Sequence, residues 1–143
     1  EGSKPHTWLS NCGGSIGFAL PAATGASLAC PDRKVIALEG DGSGMYTLQS
    51  LWTMARENLD ITVLIFANQS YKILHAELNN VGVLNPGPSA INMLNLNNPS
   101  LNWVSISKGM GIDSKRVFNT DELYNVFLDA LNTKGPFLIE VMI

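Results

Sequence analysis

Val35-Ile36-Ala37-Leu38-Glu39-Gly40-Asp41-Gly42-Ser43 runs from a short apolar stretch into a glycine-flanked aspartate, and Asn68 follows 27 positions after that aspartate. Asn68 closes a second apolar run, Ile61–Ala67, rich in strand-forming residues (Ile61, Val63, Ile65, Phe66). Between the runs, Met45–Asn58 reads as a helix, with Leu48, Leu51, Trp52 and Ala55 at helical spacing. Unbroken apolar runs of this length mark inner strands of a parallel sheet covered on both faces. A strand–helix–strand unit brings the carboxyl ends of both strands to one edge of the sheet, where open α/β sheets bind ligands. Asp41 and Asn68 are expected to meet there. They offer a carboxylate and a carboxamide, hard oxygen ligands suited to Mg²⁺, which usually shares its shell with substrate phosphates. Amides at the start of the following helix suit those phosphates. The expected site is a metal-bridged diphosphate.

Outward from this unit the chain alternates helix and strand. Gly13–Cys30 is rich in small residues and predicts a helix that packs close to a neighbour, closed by Pro31-Asp32. Tyr71 to Leu78 predicts a short helix, Pro99–Met110 another, and Arg116–Phe118 a brief edge strand. Thr120 is the expected N-cap of a helix burying Leu123, Val126, Phe127 and Ala130. Gly135-Pro136 ends it, and Phe137–Ile143 is a closing strand. The order implies an α/β, doubly wound, mainly parallel sheet with helices on both faces. From Leu78 to Ser107 there is no charged residue, while Asn, Pro and Gly are frequent. So long a loop reads either as a covered surface segment or as a lid or subunit contact over the site.

The 143 residues allow one domain with a real core. With 45% hydrophobic and 15% charged residues, the chain suits being covered by another domain or subunit. A net charge of −3 without a basic run excludes nucleic acid as the expected partner. No apolar stretch approaches the length needed to span a bilayer, and no signal peptide is seen, so a cytoplasmic setting is expected. Cys12 and Cys30 lack metal-ligand spacing and read as buried thiols. Residues 1–8 read as a linker or tail and residues 9–143 as the domain, a piece of something longer.

Gly40-Asp41-Gly42 with Asn68 resembles the signature of thiamine-diphosphate enzymes. Gly14-Ser15-Ile16-Gly17-Phe18 with Ala19-Leu20-Pro21-Ala22-Ala23 is similar to the cofactor-contacting segment of 2-oxo acid decarboxylases. Asp32-Arg33-Lys34-Val35-Ile36 leads into the motif as in acetolactate synthases and benzoylformate decarboxylases. Lys134-Gly135-Pro136-Phe137-Leu138-Ile139-Glu140-Val141 resembles the closing strand of the same domain. The ordered set covers nearly the whole chain and implies the thiamine-diphosphate-binding fold, specifically the C-terminal diphosphate domain of an acetolactate-synthase-like or benzoylformate-decarboxylase-like protein.

The resemblance implies roles residue by residue. Asp41, the side-chain oxygen of Asn68 and the carbonyl of Ser70 would ligate Mg²⁺. Gly40, Gly42 and Ser43 would line the diphosphate. The Gly14 carbonyl would hold the pyrimidine amino group, with Ser15 adjacent and Ile16 as the apolar prop under the bent cofactor. Tyr71, Lys72 and Ile73 would contact the cofactor from beyond the metal loop, and Ile73, Leu74 and Glu77 would face a small 2-oxo acid substrate. The cofactor would act as electron sink for decarboxylation, followed by aldehyde release or carboligation.

Ala67 stands where the family commonly has the first Asn of a pair, and Leu74 where pyruvate decarboxylases carry a catalytic glutamate. The resemblance places the activating glutamate on a pyrimidine-binding domain of the same or a second chain. No catalytic residue is therefore expected here. The isolated chain is expected to be inactive, and the assembly to be a homodimer or homotetramer. A non-catalytic cofactor-binding subunit and an unrelated nucleotide-binding α/β domain are the alternatives, the latter lacking any Walker loop or Gly-x-Gly-x-x-Gly to support it. An aspartate at position 41 could equally cap a helix, and Asn68 could be a turn former.

Overall fold

The computed structural model describes residues 4–143. The strands β1 (Val35–Gly40), β2 (Ile61–Ala67), β3 (Asp113–Val117) and β4 (Phe137–Met142) form one sheet in the order β1-β2-β4-β3. Every neighbouring pair is parallel. Gly40 lies opposite Phe66, and Ala67 opposite Met142, so the carboxyl ends of β1, β2 and β4 are in line.

Alternation along β2 builds a core on each face. Ile61, Val63 and Ile65 pack with Leu20 and Ala23 of α1 (Ala19–Ala29), Leu51 and Met54 of α3 (Ser50–Arg56), and Trp103 of α6 (Trp103–Gly109). On the other face Leu64, Ile139, Val141 and Val117 meet Val126 and Ala130 of α7 (Thr120–Asn132). The expected doubly wound parallel sheet is present, with helices on both faces. Among the described residues no helix is long and apolar enough to cross a membrane.

The first run departs from expectation. β1 is an edge strand, and Ile36 and Leu38 are 45% and 44% exposed. Only Ala37 on the α1 side is buried, because α7 packs over β4 and β3 and leaves the far face of β1 uncovered. A groove of about 860 Å³ follows this open edge, walled by Ala22 and Ala26 of α1, by Ile36 and Leu38, and by residues 6–11.

Element boundaries also shift. The helix expected over Gly13–Cys30 begins at Ala19, since Gly13, Gly14 and Gly17 all have positive φ and leave only a three-residue 3₁₀ turn at Cys12–Gly14. The helix expected over Met45–Asn58 is preceded by α2 (Asp41–Gly44) and is regular only over α3. Between them, tight bonds such as Tyr46 N–H to Ser43 O and Thr47 N–H to Gly44 O wind the chain. Asn119, rather than Thr120, caps α7, its Oδ1 accepting from the Glu122 amide at 2.9 Å. The uncharged segment is not a bare loop. It contains the end of α4 (Lys72–Asn80), α5 (Pro88–Leu94) and the start of α6. Cys12 is exposed and Cys30 half-buried, both free thiols, so neither is the buried thiol expected. Residues 1–3 of the expected tail lie outside the described residues.

Candidate functional site

Asp41 opens α2 directly after β1 and is 2% exposed. Its Oδ1 accepts from the Gly42 amide at 2.9 Å and its Oδ2 from the Gln69 amide at 2.7 Å. Gln69 sits in the left-handed region (φ 55°), a strained conformation for a non-glycine residue. Both sides of it are tied down, the amide by Asp41 and the carbonyl by the Leu96 amide at 2.8 Å. Asn68 and Ser70 flank this residue, and Asn68 Oδ1 accepts from the Ser70 amide at 2.9 Å. Ser70 forms an antiparallel bridge with Asn95, and its hydroxyl donates to the Leu94 carbonyl at 3.2 Å. The end of α5 thus holds the loop that brings Asn68 and Ser70 beside Asp41.

Burial raises the Asp41 pKa above the ordinary carboxylate value, against the amides of Gln69 and Gly42, which favour the ionised form. Among the described residues Asp41 has no Lys, Arg or His ion pair. A buried carboxylate without a counter-cation leaves a charge that a bound cation would neutralise. No group of three or more His, Cys, Asp or Glu side chains comes together among the described residues. A metal here would therefore rest on one carboxylate with carboxamide and carbonyl oxygens. That all-oxygen set suits Mg²⁺, with water or phosphate oxygens filling the remaining positions.

The glycines of the turn are required by close approach. A Cβ on Gly42 would stand 2.7 Å from Tyr71 Cδ1, and one on Gly44 2.8 Å from Trp103 Cη2. The Tyr71 ring in turn meets Tyr46 edge-on, with centroids 6.4 Å apart. Beyond Tyr71, Lys72, Ile73 and Glu77 are exposed on α4, and Leu74 is half-buried.

The Gly14–Gly17 segment reaches the same place from the amino-terminal side. The Gly17 amide donates to Ser43 Oγ at 2.8 Å, and Thr47 Oγ1 donates to the Gly17 carbonyl at 2.8 Å. The Ala19 amide donates to Glu39 Oε2 at 3.0 Å, fixing the start of α1 to the end of β1. Asn11 bonds both the amide and the carbonyl of Ser15. Gly14, Ser15 and Ile16 remain exposed, and Gly40 with them. Asn11, Glu39, Thr47 and Trp103 were not singled out as site residues by sequence. Most of their partners lie tens of positions away, and no local pattern announces them. The groove along β1 includes none of Asp41, Asn68 or Ser70.

This arrangement has relatives. The chain matches the family described as thiamine pyrophosphate enzyme, C-terminal TPP binding domain, over residues 2–141. It is 45% identical over 143 residues to the "Putative acetolactate synthase large subunit IlvX" of Mycobacterium tuberculosis, covering 99% of this chain and 28% of that protein. It is 35% identical to the benzoylformate decarboxylase of Pseudomonas aeruginosa, covering 99% of this chain and 25% of the relative. Among solved structures, the thiamine diphosphate-dependent 4-hydroxybenzoylformate decarboxylase of Rhodococcus jostii superposes with a TM-score of 0.79 at 33% identity, over 89% of this chain and 23% of the other. The chain spans about a quarter of the length of these proteins. With the family match running almost end to end and the parallel sheet shared, this chain belongs to the thiamine pyrophosphate enzymes and represents their C-terminal TPP binding domain.

Proposed function

We propose that the chain binds thiamine diphosphate through one Mg²⁺ and forms the diphosphate half of a 2-oxo acid decarboxylase or carboligase of acetolactate synthase type. The observation that carries this is the buried Asp41 carboxylate, without a Lys, Arg or His ion pair among the described residues, at the carboxyl ends of β1 and β2 and bonded to the loop that presents Asn68 and Ser70. Asp41, the Asn68 carboxamide oxygen and the Ser70 carbonyl would hold the metal. Gly40, Gly42 and the Ser43 hydroxyl would line the diphosphate, while Gly14, Ser15 and Ile16 would receive the pyrimidine side. Tyr71, Lys72 and Ile73 would contact the cofactor, and Ile73, Leu74 and Glu77 would face the substrate. When bound, the cofactor supplies an electron sink for loss of CO₂ from a 2-oxo acid.

The glutamates within the domain are engaged elsewhere, which supports a partner-supplied activating group. Glu39 accepts from Ala19, Glu57 pairs with Arg56, Glu77 accepts from Asn80, Glu122 accepts from Phe118 and Asn119, and Glu140 is buried against Arg116. The pyrimidine-binding domain, on the same or a second chain, completes the site in an assembly of at least two copies. A benzoylformate-decarboxylase-like lyase is the second reading, favoured by the solved structures the chain resembles. The test is CO₂ release from 2-oxo acids with saturating Mg²⁺ and thiamine diphosphate. The chain alone should release none, and activity should return when the pyrimidine-binding domain is supplied. Aldehyde as sole product would favour the lyase; activity of the chain alone would overturn the division of labour.

A further inference from the structure

Gly17 is the joint between the Gly14–Ile16 segment and α1, and two hydroxyls hold it. Its amide donates to Ser43 Oγ and its carbonyl accepts from Thr47 Oγ1, each at 2.8 Å. Ser43 and Thr47 lie four positions apart on the wound segment after Asp41, so one element grips both polar groups of a single residue. Gly17 is buried with φ +82°, and an added Cβ would stand 2.9 Å from Tyr46 Cβ and 3.0 Å from Thr47 Cγ2. The fit leaves no room for a side chain, and the left-handed backbone would resist one.

Resting on the cofactor reading above, we infer that Ser43 and Thr47 form a two-point clamp that holds the pyrimidine-side segment in register with the diphosphate turn, which makes Thr47 a positioning residue for thiamine diphosphate. Ser43 accepts from Gly17 with its oxygen and keeps its own hydrogen for a phosphate oxygen. The two halves of the cofactor's seat therefore share one hydroxyl. Thr47 spends its hydrogen on Gly17 and acts through that residue alone. Without it, a partly buried carbonyl loses its partner and Gly17 is held on one side only.

Thr47→Val keeps the branched shape and removes the donor, and Thr47→Ser keeps the donor. Two readouts separate positioning from general stability. The first is amide exchange of Gly17 in the ligand-free chain. The second is calorimetric titration with thiamine diphosphate and, separately, with inorganic pyrophosphate, each with Mg²⁺. Thr47→Val should speed Gly17 exchange and weaken thiamine diphosphate by about tenfold, on the scale of one hydrogen bond. It should leave Mg²⁺-pyrophosphate binding unchanged, and Thr47→Ser should restore the wild-type values. Equal weakening of both ligands, or no weakening of either, would overturn the clamp. If the wild-type chain binds neither ligand, the cofactor reading fails; unchanged Gly17 exchange in Thr47→Val would still overturn the clamp itself.

Discussion

Gln69 donates its backbone amide to Asp41 Oδ2 at 2.7 Å, fastening the turn after β2 to the first residue after β1. With the Gly42 amide on Oδ1, the carboxylate satisfies two backbone donors. Asp41→Ala leaves both without that partner, and the expected cost is about 1–3 kcal/mol. Urea denaturation without ligand should show it as a lower midpoint at unchanged slope. A variant as stable as the wild type would mean that relief of the buried charge offsets the two bonds in full.

Two glycines should answer alanine in opposite ways. At Gly42 the new methyl meets the Tyr71 ring at 2.7 Å, so Gly42→Ala should destabilise by about 1–3 kcal/mol. Gly25 lies within α1 with nothing near the added Cβ, so Gly25→Ala should stabilise by about 0.5–1 kcal/mol. Thermal melts of the two variants beside the wild type check both signs.

Acid sensitivity should trace to Asp60. Burial opposes ionisation of its carboxyl, but bonds from Lys34 at 2.8 Å and Lys134 at 3.0 Å outweigh it and hold its pKa below the ordinary 3.8. A depressed native pKa contributes stability that is present above 3.8 and is lost as pH falls through the native value. Asp60→Asn should therefore flatten the decline in stability on the acid side and lower stability near neutrality. Lys34, 18% exposed, should matter more than Lys134 at 85%, with the Lys34 pair contributing up to about 1 kcal/mol. An unaltered acid limb in Asp60→Asn would remove this group from the account.

The uncharged segment should divide under amide exchange. Val81, Leu84 and Met93 are exposed, whereas Trp103 and Ser107 are buried at the sheet. Amides over residues 81–93 should exchange fast without cofactor and slow when Mg²⁺ and thiamine diphosphate are added, with those of α6 protected throughout. Uniform protection in the ligand-free chain would contradict a lid role for residues 81–93.

The sequence was most legible where local pattern and tertiary surroundings agree. Ile61–Ala67 reads as an inner strand and is one, since strands on either side and cores on both faces bury it. Val35–Glu39 carries the same apolar character, yet Ile36 and Leu38 are exposed, because hydropathy records what a strand can bury and not what lies beside it. The order of Asp41 and Asn68 along a strand–helix–strand unit predicted their meeting at one edge of the sheet, while Ser70 was named only through the family resemblance. What sequence could not show was the support beneath them. Trp103 packs on Gly44, Leu96 ties Gln69 and Thr47 holds Gly17, all contacts between distant positions. Helix starts failed for a local reason, as three glycines at positive φ delayed α1 to Ala19.

On the function proposed above, one divalent cation on Asp41 joins this domain to a diphosphate. Calorimetric titration of the chain with thiamine diphosphate, with and without Mg²⁺, tests it most directly. Binding should appear only with Mg²⁺ and vanish in Asp41→Ala while the variant remains folded. Equal affinity without the metal, or binding retained by Asp41→Ala, would contradict the account.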